Sequence, residues 1–222
     1  MTAAPGSDVV RVAIVDDHPL YREMLAAVLA GSPDIVVTVE AAGVAEALRL
    51  IIPGEVDVAI LDVDLPDGNG VGLGVQLRRL NPAMGILLTS SQDVMEYLVD
   101  LPHDVRQGWS YLSKNSPLSS TRTVVEAIRA TAAGVTVLDP LLVARARPRT
   151  GSALAGLSAR QYEVLTLVAL GLSNAGVAER LGISARSVEN HLNLIYAALR
   201  LPDQSNSRVS AVLRFIEDSS RD

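Results

Sequence analysis

The chain has 222 residues, of which 49% are hydrophobic and 20% are charged, and its formal net charge is −6. It contains no cysteine, which excludes a disulfide scaffold, and no apolar run of the ~18 residues that a membrane span needs. Because the N-terminal sequence MTAAPGSD also lacks the apolar segment of a signal peptide, we expect a cytoplasmic protein with no membrane partner.

Charge is distributed unevenly along the chain. Residues 1–139 carry 18 acidic and 9 basic side chains, residues 140–151 carry three arginines and no acid, and the remainder is neutral. This pattern suggests two units with different functions, joined by a basic segment. Lys114 is the only lysine among 19 basic residues, so it is a candidate for a role that arginine cannot fill.

The first half of the chain alternates between short apolar runs and amphipathic stretches. Near-continuous Val, Ile and Leu in the runs predicts strands of a parallel sheet that are covered on both faces. The predicted strands are 9–15, 35–40, 56–61, 84–90 and 109–112, and the predicted helices are 19–30, 43–51, 70–80, 93–101 and 117–133. The expected fold is an α/β doubly wound five-stranded parallel sheet, which binds ligands at the carboxyl ends of its strands.

The second half begins with prolines, glycines and arginines that break this pattern. Four helices are predicted after them, at 158–170, 173–180, 184–200 and about 204–217. The pair Ser158 and Gln161 forms a capping-box pattern at the start of the first of these helices. We therefore expect a first domain over 8–134, a linker over 135–153 and a small all-α four-helix domain over 154–218.

Polar side chains follow four of the predicted strands. Asp16 and Asp17 follow the first strand, Asp62 the third, Thr89 ends the fourth, and Lys114 follows the fifth. In a parallel sheet these positions share one edge, where crowded carboxylates call for a cation between them. Mg²⁺ suits such a site, because it binds carboxylates while taking phosphate oxygens.

This group of side chains predicts phosphoryl transfer. An aspartate beside Mg²⁺ can attack a phosphoryl group to form an acyl phosphate, while the metal and Lys114 neutralise the phosphoryl oxygens. Thr89 can afterwards move to bind the product phosphate, which would constitute a switch. A single aspartate at a strand end is usually a solvated cap, but several at one edge together with the one lysine favour the functional interpretation. His18 is expected to open the first helix with Pro19 rather than to carry phosphate.

The predicted helix at 184–200 has two distinct faces. An apolar stripe packs into the domain, and the opposite face carries Arg186, Asn190 and Asn193 with Glu189 at its flank. Such a face just after a tight turn is what a reader of the DNA major groove needs, although a merely solvated helix has the same pattern.

Residues 9–133 resemble the receiver domain of two-component response regulators. The segments that carry the resemblance are IVDDHPLYREML, LDVDLPDGNG, LLTSS and YLSKN. By this resemblance Asp62 is the phosphoacceptor, Thr89 and Tyr111 form the switch pair, and Lys114 binds the phosphate. The Mg²⁺ ligands it implies are Asp16, Asp17, Asp62 and the backbone carbonyl of Asp64. Thr89 and Lys114 are 25 residues apart, a longer interval than the family pattern, and this departure puts the output face at 93–110 in question.

The segment from Leu157 to Leu201 resembles the LuxR-type helix-turn-helix of the NarL/FixJ subfamily. We expect DNA contacts from Ser184, Arg186, Ser187, Glu189, Asn190 and Asn193. Because the domain is neutral and phosphate contacts supply much of the affinity for DNA, we expect weak binding by the monomer and dependence on a homodimer.

The function that follows is a DNA-binding transcriptional regulator, not an enzyme, switched by phosphorylation of Asp62 from a partner sensor histidine kinase. One alternative keeps the fold but makes the protein a dimeric transcription factor that does not depend on phosphorylation. A second is an aspartate-dependent phosphatase, because LDVDLPDG also places Asp62 and Asp64 in an Asp-x-Asp pattern after an apolar strand.

Overall fold

The structure is a computed structural model of the chain. It describes residues 9–92, 101–102, 105, 108–115, 121–201 and 206–220. The predicted fourth helix at 93–101 therefore lies almost entirely outside the described residues.

Five parallel strands form the central sheet of the first domain. They are β1 (Val10–Val15), β2 (Ile35–Ala41), β3 (Val58–Asp62), β4 (Gly85–Ser90) and β5 (Trp109–Ser113), in the order β2-β1-β3-β4-β5. The register pairs Asp62 with Thr89 and Ser90 with Ser113, so the polar ends of three neighbouring strands are aligned. The predicted doubly wound parallel sheet is confirmed.

The outer strand β2 departs from the expectation that both faces are covered. Its residues alternate between buried or half-buried and exposed positions, and Val36 is 42% exposed. Among the described residues, β2 pairs with β1 only, because it lies at the edge of the sheet. Its apolar run therefore does not indicate burial on both faces, unlike the apolar runs of β3 and β4, which are buried throughout.

Helices cover both faces of the sheet. They are α1 (Pro19–Ala30), α2 (Val44–Leu50), α3 (Gly70–Leu80) and α4 (Thr121–Ala132). One apolar core unites Ile14 and Ile60 of the sheet with Leu25 of α1 and Ile128 of α4. The alternate strand residues point to the opposite core, where α2 and α3 pack, because successive side chains of a strand face opposite sides.

The predicted linker contains more structure than its composition indicates. A short helix, α5 (Pro140–Arg145), begins at the capping residue Asp139, and Arg147–Pro148 pairs antiparallel with Ser219–Ser220 near the C-terminus. Before α5, residues 135–138 run beside β5, with a parallel bridge between Tyr111 and Leu138. The linker is thus built onto both domains.

The second domain is helical. A single 3-10 turn at Leu154–Gly156 precedes α6 (Ala159–Ala169), α7 (Asn174–Leu181), α8 (Ala185–Ala198) and α9 (Ser207–Glu217). Ser158 and Gln161 form the predicted capping box at α6. The apolar core of this domain is continuous with the core on the α3 side of the sheet through Leu138, Val143 and Ala146 of the linker. Among the described residues, no helix combines the length and the apolar character that crossing a membrane requires.

Candidate functional site

Three predicted site residues meet at the carboxyl edge of the sheet. Lys114 Nζ lies 2.5 Å from Asp16 Oδ2 and 2.7 Å from Asp62 Oδ2. Both carboxylates are buried, and the lysine side chain is only 10% exposed. The ammonium group therefore offsets part of the repulsion between the two carboxylates.

The same edge holds a cluster of possible metal ligands. Asp16, Asp17, His18 and Asp62 each offer one ligand atom, and these atoms lie within 4.8 Å of one another. His18 Nδ1 is 2.6 Å from Asp17 Oδ1, and His18 directly precedes Pro19 at the start of α1, as predicted. Carboxylate oxygens are the hard donors that Mg²⁺ prefers, whereas imidazole suits transition metals. The three carboxylates therefore fit Mg²⁺, with His18 as a neighbour.

The surroundings of Asp62 disfavour the ionised form of its carboxyl. Burial raises the pKa of its carboxyl, the Lys114 ammonium lowers it, and the nearby Asp16 carboxylate raises it again, with a net upward shift. A fourth side chain, Tyr21 of α1, closes the site: Lys114 Nζ lies 4.6 Å from the centre of its ring. Burial raises the pKa of Tyr21 to about 12, so its phenol stays protonated near neutral pH.

The predicted switch pair lies on β4, which is next to β3, and on β5, which is next to β4. Thr89 is buried beside Asp62, and its hydroxyl donates a 3.4 Å bond to the Leu61 carbonyl. The Tyr111 side chain is buried, and its hydroxyl donates to the Gln92 carbonyl at 2.7 Å.

Asp64 occupies a different position from the other predicted acidic residues. Its side chain is exposed and stands outside the ligand cluster, while its backbone N–H lies 3.5 Å from Asp62 Oδ1. Among the predicted metal ligands, Asp64 is therefore placed beside the pocket only through its backbone.

The second candidate site is the pair of helices α7 and α8. Gly182 ends α7 with a φ of +64°, a conformation that favours glycine, and Ser184 caps α8 by accepting the backbone N–H of Ser187. The predicted apolar stripe is buried, with its residues at most 4% exposed: Val188, Leu192, Ile195 and Leu199. The turn and the stripe fix which face of α8 points away from the domain.

That outward face carries the predicted DNA-contacting side chains. Four of them are exposed, namely Arg186, Glu189, Asn190 and Asn193. Ser184 is also exposed, Ser187 is half-buried, and their hydroxyl oxygens are 2.8 Å apart. Sequence reasoning missed Leu194, which is 57% exposed one turn after Asn190. The sequence alone indicates this exposure, because an apolar residue that lies outside the apolar stripe of an amphipathic helix faces outward.

The comparisons with known proteins match both parts of the chain. The family model described as the response regulator receiver domain matches residues 12–128, and the model of bacterial regulatory proteins of the luxR family matches residues 155–213. The chain belongs to the response regulator family. It combines a receiver domain with a LuxR-type DNA-binding domain, as the sequence predicted.

Relatives align with this response regulator over nearly their whole length. It is 30% identical to the DNA-binding transcriptional activator DevR/DosR of Mycobacterium tuberculosis over 91% of this chain and 94% of the relative. It is 31% identical to the transcriptional regulatory protein LiaR of Bacillus subtilis, over 91% and 96%. The solved receiver domain of the putative response regulator NarL from M. tuberculosis covers 57% of this chain and 98% of its own, with 31% identity and a TM-score of 0.50. These relatives are transcriptional regulators, and so is the response regulator described here.

Two further residues lie at the receiver pocket: Tyr21, which was not predicted from the sequence as a site residue, and His18, which was predicted only to open the first helix. Tyr21 faces Lys114 from α1, and His18 contacts Asp17. Tyr21 lies one helical turn beyond the capping residue His18, on the turn of α1 that starts at the carboxyl edge of the sheet. This spacing was a usable signal, because the first turn of a helix that follows a strand lies next to the site at that strand's end.

Proposed function

We propose that phosphorylation of Asp62 by a partner sensor histidine kinase controls the binding of a homodimer to double-stranded DNA. The observation that carries this proposal is the pair of short contacts that Lys114 makes with Asp62 and Asp16 at the carboxyl edge of the sheet. Such a pocket places a nucleophilic carboxylate beside a cation that can meet phosphoryl oxygens.

The proposed chemical step is transfer from a phosphohistidine of the kinase. A carboxylate oxygen of Asp62 attacks phosphorus, a P–O bond forms, the P–N bond breaks, and the released imidazole takes up a proton. Mg²⁺, when held by Asp16, Asp17, Asp62 and the Asp64 backbone carbonyl, would supply charge neutralisation for the phosphoryl oxygens. Lys114 would then bind a phosphoryl oxygen in place of its present contact with the Asp62 carboxylate.

The change in Lys114 and Thr89 is the proposed start of the switch. Among the residues that the structure describes, Thr89 donates only a long bond, to the Leu61 carbonyl, so its hydroxyl can turn to a phosphoryl oxygen. We propose that Tyr111, two residues before the end of β5, rearranges with it. A population shift of this kind requires that the rearranged state bind the phosphoryl group better than the present one.

The output proposed for this rearrangement is contact between α8 and DNA. Arg186 suits guanine or phosphate, Asn190 and Asn193 suit adenine, Glu189 can accept from cytosine, and Ser184 and Ser187 stand at the start of the helix. We propose that this takes place in the cytoplasm, with the domain limits at 8–134 and 154–218.

The test is to treat the full chain with acetyl phosphate and Mg²⁺ and to compare wild type with Asp62→Asn. Asp64→Asn is the matched control, because it removes a carboxylate two residues away that stands outside the ligand cluster. We expect acyl phosphate by intact mass, dimerisation by light scattering and tighter DNA binding in wild type and the control, and none of these responses in Asp62→Asn.

Two other outcomes point to the alternatives. Equal dimerisation and DNA binding of wild type and Asp62→Asn, with and without the phosphodonor, would support a transcription factor that does not depend on phosphorylation. Sustained turnover of a phosphate ester that is lost in Asp64→Asn would support the phosphatase.

A further inference from the structure

Asp139, at the start of the linker helix α5, uses its two carboxylate oxygens in two different directions. Oδ1 accepts the backbone N–H of Leu141 at 2.8 Å, which is the ordinary capping bond of a helix. Oδ2 accepts the backbone N–H of Ser113 at 3.0 Å, at the end of β5. The side chain is fully buried, with 0% of the residue exposed.

One end of this bridge lies next to the phosphorylation pocket. Ser113 directly precedes Lys114, and the backbone N–H of Lys114 donates to the Ser90 carbonyl at 2.8 Å. The same lysine holds Asp62 and Asp16 through its side chain. The N–H that Asp139 holds and the lysine that contacts Asp62 therefore belong to adjacent residues of the chain.

The other end of the bridge lies on the DNA-binding domain. The linker is attached at two points to α6: the Leu138 N–H donates to the Ala169 carbonyl at 2.9 Å, and the Tyr162 hydroxyl donates to the Ala146 carbonyl at 3.0 Å. These contacts flank α5, one before its first residue and one just after its last. The position of α5 therefore sets the position of α6, and with it the domain that carries α8.

We infer that Asp139 is a positioning residue that couples the state of Asp62 to the placement of the DNA-binding domain, through Ser113 on one side and α5 on the other. The inference rests on the proposed switch at Asp62. A capping role alone does not account for the arrangement, because a cap needs one oxygen and serine or asparagine supplies it as well as aspartate does. The second oxygen and the complete burial are what the coupling role explains.

The decisive variant is Asp139→Asn in the full chain. An amide has one acceptor oxygen, so asparagine can keep the cap but cannot also accept the Ser113 N–H. Asp218→Asn is the matched control, since Asp218 is also buried and its recorded contacts are with Leu154, Arg149 and Arg214, on the linker side and in the helical domain. Tyr162→Phe is a second, milder variant, which removes one hydroxyl from the attachment to Ala146.

The measurements are acyl phosphate by intact mass and affinity for a DNA site selected from a random pool by the phosphodonor-treated wild type. We expect Asp139→Asn to be phosphorylated by acetyl phosphate as wild type is, while the ratio of DNA affinities with and without phosphodonor shrinks by roughly tenfold, as loss of one hydrogen bond to a charged acceptor implies. Tyr162→Phe should shrink the ratio less, and Asp218→Asn should leave it unchanged. Amide exchange at Ser113 should be faster in Asp139→Asn.

The outcomes separate the inference from the switch on which it rests. A wild type whose DNA affinity ignores the phosphodonor contradicts both. A wild type that responds, beside an Asp139→Asn variant that responds equally, overturns the coupling role alone and leaves the switch standing. If Asp139→Asn fails to fold, Tyr162→Phe decides: an unchanged ratio overturns the inference, and a reduced ratio supports it.

Discussion

Asp62 occupies a site whose burial works against the charge on its own carboxylate. Its pKa is raised by burial first, and the Lys114 contact at 2.7 Å only partly offsets this. A carboxyl whose pKa is higher in the folded than in the unfolded state contributes stability below its unfolded pKa and loses that contribution as pH rises through the folded value. Without metal, the ionised pocket is therefore a cost that Mg²⁺ binding relieves.

We predict that Asp62→Asn is more stable than wild type near neutral pH in the absence of Mg²⁺. The advantage should shrink as the pH falls through the raised folded pKa of Asp62, and it should vanish below the unfolded pKa of aspartate, about 3.9, where both states of wild type are neutral at this position. Mg²⁺ should stabilise wild type more than the variant, because only the carboxylate binds the ion. Urea unfolding at several pH values, with and without Mg²⁺, measures both effects.

Asp57→Asn is a control for which we expect the opposite change in stability. Two nitrogens of the Arg11 side chain and its backbone N–H hold the Asp57 carboxylate, and the hydrogen bonds from Arg11 lower the pKa of that carboxyl. This pair contributes stability above the unfolded pKa, so Asp57→Asn should lose stability near neutral pH, by less than about 1 kcal/mol because the pair is partly exposed. If both variants shift stability in the same direction, burial is not what distinguishes Asp62.

The sequence predicts residues at strand ends better than residues that approach from helices. Asp16, Asp62 and Lys114 follow apolar strands, and the parallel sheet brings them to one edge whatever the loops do. The contact of Tyr21 with Lys114 depends on how α1 rotates as it packs on the sheet, which a strand-end rule does not include. Asp64 shows the reverse: strand alternation would place it on the same face as Asp62, but β3 ends at Asp62 and the Asp64 side chain beyond it is exposed.

At the scale of elements, two of the three glycines of α3, Gly70 and Gly72, differ in how much space surrounds them. A Cβ on Gly70, the first residue of the helix, would stand 1.9 Å from the Asp62 carbonyl oxygen, a backbone atom that cannot swing aside. A Cβ on Gly72, two residues further along the helix, would meet nothing within 4 Å. The close approach of α3 to the backbone of Asp62 thus depends on Gly70 and not on Gly72.

We predict that Gly70→Ala destabilises the protein by about 2–3 kcal/mol and slows phosphorylation of Asp62, because the backbone of α3 or β3 must shift. Gly72→Ala should instead stabilise the fold by about 0.4–1 kcal/mol, since alanine has the higher helix propensity. Chemical denaturation and the rate of acyl phosphate formation measure the two effects. Similar stability changes in the two variants would contradict the proposed contact.

Element prediction succeeded where periodicity is local and failed where the partner is distant. The bounds of α1 and α3 agree with the predicted helices at 19–30 and 70–80 because their apolar spacing and capping residues are local. The short helix α5 was missed, although Asp139 before Pro140 is a local capping signal. The pairing of the linker with β5 has no local signal, since Leu138 pairs with Tyr111, 27 residues earlier in the chain.

At the scale of the whole molecule, charge places a limit on how DNA can be bound. The chain is acidic through residue 139, carries three arginines over 140–151 and is neutral beyond. Release of counterions from DNA phosphates needs cationic side chains, so a single copy has little of this driving force. Simultaneous engagement of two half-sites is the remaining route to high affinity.

We predict that the full chain treated with phosphodonor binds a DNA carrying two half-sites, one or more helical turns apart, at least 100-fold more tightly than one carrying a single half-site. Fluorescence anisotropy with labelled duplexes measures both affinities at one salt concentration. The untreated chain is the control and should discriminate less between the two duplexes. A single half-site bound as tightly as the pair would rule out the dimer as the source of affinity.

The strip of linker beside β5 also has a consequence for solubility. The Tyr111 and Ser113 N–H groups of this strand bond to the Val137 carbonyl and to Asp139, so the segment shields the border of the sheet. A bare strand border offers a template on which another chain can pair. If a rearrangement displaces the linker, the Tyr111 and Ser113 N–H groups must therefore both find new hydrogen-bond acceptors. Otherwise the rearrangement that activates the protein would also expose a strand edge that favours self-association.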